Sequence, residues 1–284
     1  SERIDVQVRC FTRANTVDEL PALLVGADFV FHLAGVNRPL DPAAFVVGNA
    51  GLTQALCTAL AQVATTTGRK VPVVFASSIQ AAQDNAYGQS KRAAEDALFA
   101  LQHEYGVPVH VFRLPNVFGK WARPNYNSAV ATFCHNTARG LPITVNDPAA
   151  SLTLVYVDDV VQRFIHLLDG ADAALDAAGF ATVAPQYSTT VGALAAQIQA
   201  FKESRNNLVT ERVGTGLVRA LYSTYVSYLP VEEFAYTVPQ HGDARGVFVE
   251  MLKTPDCGQI RYFTAHQGIT RGGHYHHSKT EKFL

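Results

Sequence analysis

Tyr87 and Lys91 stand four apart in the run AYGQSKRAAE, and Ser78 precedes the tyrosine by nine residues. In a helix, an i, i+4 spacing puts two side chains on one face, one turn apart. A lysine ammonium beside a phenol favours the phenolate and draws the tyrosine pKa down from about 10. A serine hydroxyl opposite polarises a carbonyl oxygen that the tyrosine protonates or deprotonates. These residue types are what general acid–base chemistry beside a hydride carrier needs.

A second constellation lies in RGGHYHHSKTEKFL, where His274, His276 and Glu281 form H-x-H-x₄-E. On a strand, residues i and i+2 share a face, so both imidazoles can reach one ion. The carboxylate completes a three-ligand set suited to zinc or a similar divalent metal.

Elements must hold these groups. Val71–Phe75 is an apolar, β-branched run that reads as a buried parallel strand ending at Ser77 and Ser78. The tyrosine and lysine follow on a segment with helical character. Upstream, Ile4–Phe11 alternates loosely and reads as a strand, Val17–Val25 has helical spacing, and Asp28–Leu33 is a second buried strand. Two strands joined by a helix imply a parallel crossover. Asn49–Thr65 reads as an Ala/Leu-rich helix, Val107–Leu114 as a further strand, and Val191–Phe201 and Leu217–Leu229 as amphipathic helices. Beyond Pro230 the texture changes. LPVEEFAYTVPQHGDARG has turn residues without a period and reads as a linker, while GVFVEMLKT and GQIRYFTAH alternate like antiparallel strands.

Composition sets outer bounds. The 284 residues carry 48% hydrophobic and 17% charged side chains and a net charge of −1. That balance is ordinary for a globular protein and disfavours non-specific nucleic-acid or membrane-surface binding. No run is read as a membrane span. Cys10, Cys57, Cys134 and Cys257 form no CxxC and suit free thiols in a reducing cytoplasm.

Ser78, Tyr87 and Lys91, as S-x₈-YGQSK, resemble the catalytic triad of the extended, sugar-nucleotide short-chain dehydrogenase/reductases. The resemblance implies an α/β fold: a Rossmann-type doubly wound parallel sheet over residues 1–230, followed by the start of an all-β cupin domain over 231–284. HLAGVNRP is similar to the family's fourth-strand turn, so Ala34 and Gly35 are expected to meet the cofactor, and Asn37 and Arg38 phosphate or substrate. Ser77, Tyr87 and Lys91 join the expected cofactor contacts. Arg13, where the ribose 2′ group would sit, suits a 2′-phosphate and hence NADPH. In RLPNVFGKW, Pro115, Asn116 and Val117 are expected against the nicotinamide amide. Lys120, Arg123, Asn125, Tyr126 and Asn127, with Asn116, are read as contacts to a nucleotide-sugar. Asp158 in SLTLVYVDD is read as a helix cap. Ile79 and Gln80 stand where the dehydratase cousins carry an acidic pair, which disfavours dehydration.

No glycine-rich GxxGxxG turn precedes Arg13, and the cupin-like stretch stops at Leu284 before most of a barrel, so the sequence is expected to be a piece of a longer chain lacking both ends. H-x-H-x₄-E resembles the first metal motif of the cupins. The same stretch also resembles the sugar-nucleotide 3,5-epimerases, in which His274 would be a base and Lys282 would steady an enolate. A metal-bound imidazole cannot act as base, and the metal is the preferred reading. The combination resembles the bifunctional UDP-2-acetamido-2,6-dideoxy-hexulose reductases of capsule and O-antigen synthesis, on the route to UDP-N-acetyl-L-fucosamine. That resemblance implies C3 epimerisation of a UDP-linked 4-keto amino-deoxy sugar by the cupin part. NADPH-dependent reduction of the C4 ketone to the talose-configured product would follow, in a homodimer. A 4-epimerase that retains NAD and a non-catalytic nucleotide-binding protein are the competing readings.

Overall fold

The computed structural model describes residues 3–256 and 258–270 together with Tyr275 and His277. Contacts divide the chain into two units, the first comprising Ser1–Val117 and Leu152–Ser188, the second Phe118–Ser151 and Thr189–Leu284.

The first unit is built on a parallel sheet of β1 (Val30–His32), β2 (Val73–Ser78) and β3 (Val109–Leu114), in that order. Val30 pairs with Val73, and Val73 with Val109. Because successive strand side chains face opposite ways, β2 feeds two cores. Val73 and Phe75 pack with Leu20 and Leu24 of α1 (Leu20–Leu24), with Leu56 and Leu60 of α3 (Leu52–Thr67), and with Leu98 and Leu101 of α4 (Ala86–Tyr105). Val74 and Phe112 face the other way, onto Val160, Phe164 and Leu167 of α6 (Val157–Leu168). Helices on both faces of a parallel sheet make the doubly wound α/β arrangement expected from the sequence. Full burial of Val73, Val74 and Phe75 contributes about 1.5–3 kcal/mol each.

A second sheet orders β4 (Asn116–Phe118), β5 (Ser151–Tyr156) and β6 (Gln186–Thr190). The second unit holds α5 (Ala129–Ala138), α7 (Val191–Asn207) and α8 (Gly216–Ser227). It also holds an antiparallel sheet of β7 (Gln240–Asp243), β8 (Gly246–Thr254) and β9 (Gly258–Phe263). Backbone bonds from Thr210 N to Lys253 O and from Lys253 N to Leu208 O stitch β8 to the segment after α7.

Four sequence expectations change. Ile4–Phe11 forms no strand, because none of the described residues pairs with it in a ladder; Phe11 packs on the core instead. The expected linker contains β7, whose four residues pair with β8 across a tight turn. Asp158 does not cap α6. The N-cap is Tyr156, and Asp158 sits inside the first turn, where its charge meets the positive helix end. Finally, α2 (Ala43–Phe45), a π turn over Val46–Gly51 and α3 run on as one helix, whereas the sequence suggested a start at Asn49. That continuous run, Ala43–Thr67, is by length and composition long and apolar enough to cross a membrane. Its Leu56, Cys57, Ala59 and Leu60 nevertheless belong to the α/β core. Cys10, Cys57 and Cys134 are free thiols.

Candidate active site

In a parallel sheet the carboxyl ends of all strands share one edge, and ligands bind outside it. That edge carries Leu33–Val36 after β1, Ser77 and Ser78 ending β2, and Pro115 after β3; Ser78 is in register with Leu114.

Local sequence fixes how α4 meets this edge. Asn85 caps the helix by accepting the Gly88 N–H at 2.8 Å, which puts Tyr87 in the first turn and Lys91 one turn on. Gly88 lies against the turn that follows Ser78. A Cβ there would fall 2.2 Å from the Gln80 carbonyl oxygen and 2.7 Å from that of Gln83. Only glycine allows this approach, and the approach brings Tyr87 to Ser78. The helix ends at Gly106 in the left-handed conformation, φ 68°.

The Ser78 hydroxyl hydrogen-bonds the Tyr87 phenol and also accepts the Gln80 N–H at 3.2 Å. The Tyr87 ring leans on Phe45, with centroids 5.7 Å apart. Lys91 is buried; its Nζ donates to the Ala76 carbonyl oxygen at 2.8 Å and lies 4.5 Å above the Phe75 ring centre. Burial lowers the Lys91 pKa to about 8, against an opposing pull from Glu95.

The electrostatics of the pair differ from the sequence expectation. Burial raises the Tyr87 pKa, the Ser78 hydrogen bond works the other way, and no effect of Lys91 on the phenol is resolved. The reason is geometric: the ammonium is directed at the Ala76 carbonyl rather than at the phenol. A phenol that keeps its proton is matched to an acid's task, since it gives that proton only to a strongly basic oxygen.

Asn49, in the π turn, clamps the turn after β1. Its Oδ1 accepts the Val36 N–H at 2.7 Å, and its Nδ2 donates to Val36 O at 2.9 Å and to Ser90 Oγ at 2.8 Å. Ser90 in turn donates to Tyr87 O at 2.7 Å. The clamped turn and α4 are thus tied together, and π turns recur at functional positions. A Cβ on Gly35 would lie 3.0 Å from Asn49 Oδ1 and 3.7 Å from Lys91 Nζ. Ala34 and Gly35 are exposed, and with no side chain larger than a methyl they leave the backbone after β1 accessible beside Lys91.

Below it, His32 and Thr53 are buried and joined, His32 Nε2 to Thr53 Oγ1, at 2.8 Å. Thr53 donates to Asn49 O, so the imidazole is the donor in that bond. Burial, and after it the Lys91 charge, hold the His32 pKa down at about 4.

Of the residues singled out in the sequence, Ala34, Gly35, Ser77, Ser78, Tyr87, Lys91 and Pro115 gather at this edge. The Ser77 hydroxyl points to Glu95. Asn116 and Val117 lie on β4, with Asn116 Nδ2 donating to Thr153 O at 3.1 Å. Asn37 and Arg38 are exposed on the turn after β1, and Arg13 is exposed on the Thr12–Asn15 turn. Lys120, Arg123, Asn125, Tyr126 and Asn127 lie in the second unit. There Lys120 covers Trp121, Arg123 covers Tyr126, and Asn125 takes a positive φ of 54°. His274, His276, Glu281 and Lys282 lie outside the described residues. Among the described residues no cluster of metal-ligating side chains occurs.

Sequence reasoning missed Asn49, Ser90, Glu95 and Arg113. The one signal was spacing: Glu95 stands four residues after Lys91, as Lys91 stands four after Tyr87.

Residues 5–177 match the model of the NAD dependent epimerase/dehydratase family, and residues 241–284 that of the polysaccharide biosynthesis C-terminal domain. The whole chain is 57% identical to the UDP-2-acetamido-2,6-beta-L-arabino-hexul-4-ose reductase of Pseudomonas aeruginosa, covering 74% of that protein. The crystal structure of the capsular polysaccharide assembling protein CapF from Staphylococcus aureus is 40% identical and matches with a TM-score of 0.80, over 94% of this chain and 70% of that one. The UDP-glucose 4-epimerase of Thermus thermophilus, solved with NAD, shares the fold: TM-score 0.59 at 18% identity, over 75% of this chain and 82% of that one.

Proposed function

The chain belongs to the NAD dependent epimerase/dehydratase family, and from that premise we propose that it reduces the C4 ketone of a UDP-linked 2-acetamido-2,6-dideoxy-hexulose. The carrying observation is the hydrogen-bonded Ser78–Tyr87 pair at the sheet's carboxyl edge, with Lys91 behind it and the exposed Gly35 beside it.

The nicotinamide cofactor supplies the hydride when bound. The rest is done by the chain. Ala34, with only a methyl, and Gly35 would let the cofactor approach the backbone, and Pro115, Asn116 and Val117 would lie against its nicotinamide. Ser78 donates a hydrogen bond to the substrate ketone oxygen and orients it. Tyr87, held protonated by burial, gives its phenolic proton to that oxygen as negative charge develops there. Lys91, whose Nζ donates to the Ala76 carbonyl, anchors α4 to the end of β2 and so holds Tyr87 beside Ser78.

The proposal extends further. Arg13 suits the 2′-phosphate of NADPH. Asn37, Arg38, Lys120, Arg123, Asn125 and Asn127 are assigned to the nucleotide-sugar. Residues 1–230 form the reductase part and 231–284 open a second, cupin part that inverts C3 of the 4-keto sugar before reduction. The donor set of His274, His276 and Glu281 matches zinc chemistry in residue type. The product is then a UDP-N-acetyl-6-deoxy-L-talosamine, made by a cytoplasmic homodimer and consumed in building a capsule or O-antigen precursor.

The test is NADPH oxidation by the protein with the UDP-linked 4-keto sugar. Loss of absorbance of the reduced cofactor is the expected result. Sugar isomers appearing without net oxidation would move the function to epimerisation.

A further inference from the structure

Glu95 is the most completely buried charged side chain at the site, at 1% exposure, yet the acid–base steps above do not use it. We propose that Glu95, buried, and Arg113, half-buried, form a brace that positions the catalytic serine and lysine. In this brace the carboxylate, gripped by the guanidinium, holds the Ser77 hydroxyl and fixes a negative charge one helical turn from Lys91.

The grip is a fork. Arg113 Nη2 donates to Glu95 Oε2 at 2.6 Å, and Arg113 Nε reaches Oε1 and Oε2 at 3.1 and 3.2 Å. Glu95 Oε1 also accepts the Ser77 hydroxyl at 2.5 Å. The guanidinium lies 3.8 Å above the Phe180 ring centre, which fixes its plane. Three elements therefore meet on one carboxylate: β2 through Ser77, α4 through Glu95 and β3 through Arg113.

The position of Ser77 gives the brace its consequence. Its neighbour on one side, Ala76, presents the carbonyl that accepts Lys91 Nζ, and its neighbour on the other, Ser78, bonds Tyr87. Holding Ser77 holds both. A carboxylate in so dry a place is costly unless every oxygen is occupied, and here both are. The charged groups that face the brace are Lys91 and Asp96 from α4, Arg113 from β3 and Asp176 beyond Arg113; His32 faces Lys91 from β1. Glu95 favours the ammonium form of Lys91. Neutralising Glu95 leaves burial unopposed, so Lys91 gives up its proton at lower pH.

The kinetic arm of the test rests on the reductase reading; the titration arm does not. Lysine labelled with ¹³C at Cε is followed by NMR across pH in the unliganded chain, in wild type, Glu95→Gln and Ser77→Ala. Steady-state oxidation of NADPH supplies kcat and KM. The proposal predicts a Lys91 midpoint near 8 in wild type, about 1 pH unit lower in Glu95→Gln and unmoved in Ser77→Ala. It also predicts a kcat at least about tenfold lower in Ser77→Ala with KM unchanged. An unmoved Lys91 midpoint in Glu95→Gln overturns it, as does wild-type kcat in Ser77→Ala. If Glu95→Gln does not fold, Ser77→Ala, which leaves the Glu95–Arg113 fork in place, decides alone. If wild type does not oxidise NADPH, the reductase reading fails and the titration still decides the brace.

Discussion

The α-carbon of Gly88 sits so near the Gln80 carbonyl that an added Cβ would lie 2.2 Å from that oxygen. The contact is backbone to backbone, so no side chain can swing away to relieve it. It sets the distance between the helix that carries Tyr87 and the turn that follows Ser78.

Gly88 is buried against this turn, so Gly88→Ala is expected to be costly. Separating α4 from the turn should destabilise the fold by about 1–3 kcal/mol and break the Ser78–Tyr87 hydrogen bond. Thermal unfolding reads the first effect. A fall in kcat larger than the rise in KM reads the second.

The pH dependence of stability follows from Lys91, whose folded pKa is about 8 against an ordinary 10.5. Between these values the unfolded chain binds a proton that the folded chain has released, so stability rises with pH across that window. The burden of the buried ammonium is complete below about pH 8 and amounts to roughly 3 kcal/mol. Lys91→Met should unfold later than wild type at pH 7. That advantage should vanish near pH 10.5, while reduction is impaired at every pH.

His32 acts at the acid end. Its folded pKa of about 4 lies below the ordinary 6.5, so the unfolded state gains the proton first as pH falls between them. Stability drops through that window by up to roughly 3 kcal/mol. Urea midpoints at pH 7 and pH 5 should differ markedly in wild type and less in His32→Leu.

Arg13 is exposed on its turn, so its removal should leave folding untouched. Arg13→Ala should raise KM for NADPH about tenfold or more, with little change for NADH. Equal effects on the two cofactors would remove Arg13 from the 2′-phosphate.

The buried strand ending in two serines, the Tyr–Lys helix and the turn after β1 were legible because each carries a local pattern. The apolar run marks β2, and the i, i+4 spacing marks one face of α4. What escaped was set by the third dimension. Nothing local in Ile4–Phe11 says that a ladder partner is missing, and nothing in QHGD distinguishes a linker from a strand until β8 is placed beside it. The direction of Lys91 escaped for the same reason. Spacing puts it on the face of Tyr87, but the Ala76 carbonyl, fifteen residues away in sequence, decides where the ammonium points. Glu95, Arg113 and Ser77 join three elements, which no single window of sequence displays.

The central claim is that Tyr87 donates a proton to a sugar ketone at this edge. Its most direct test follows NADPH absorbance with the UDP-linked 4-keto sugar in wild type and Tyr87→Phe. The account predicts steady oxidation in wild type and a rate at least about 10²-fold lower in the mutant, with cofactor affinity retained. Equal rates in the two proteins would contradict it.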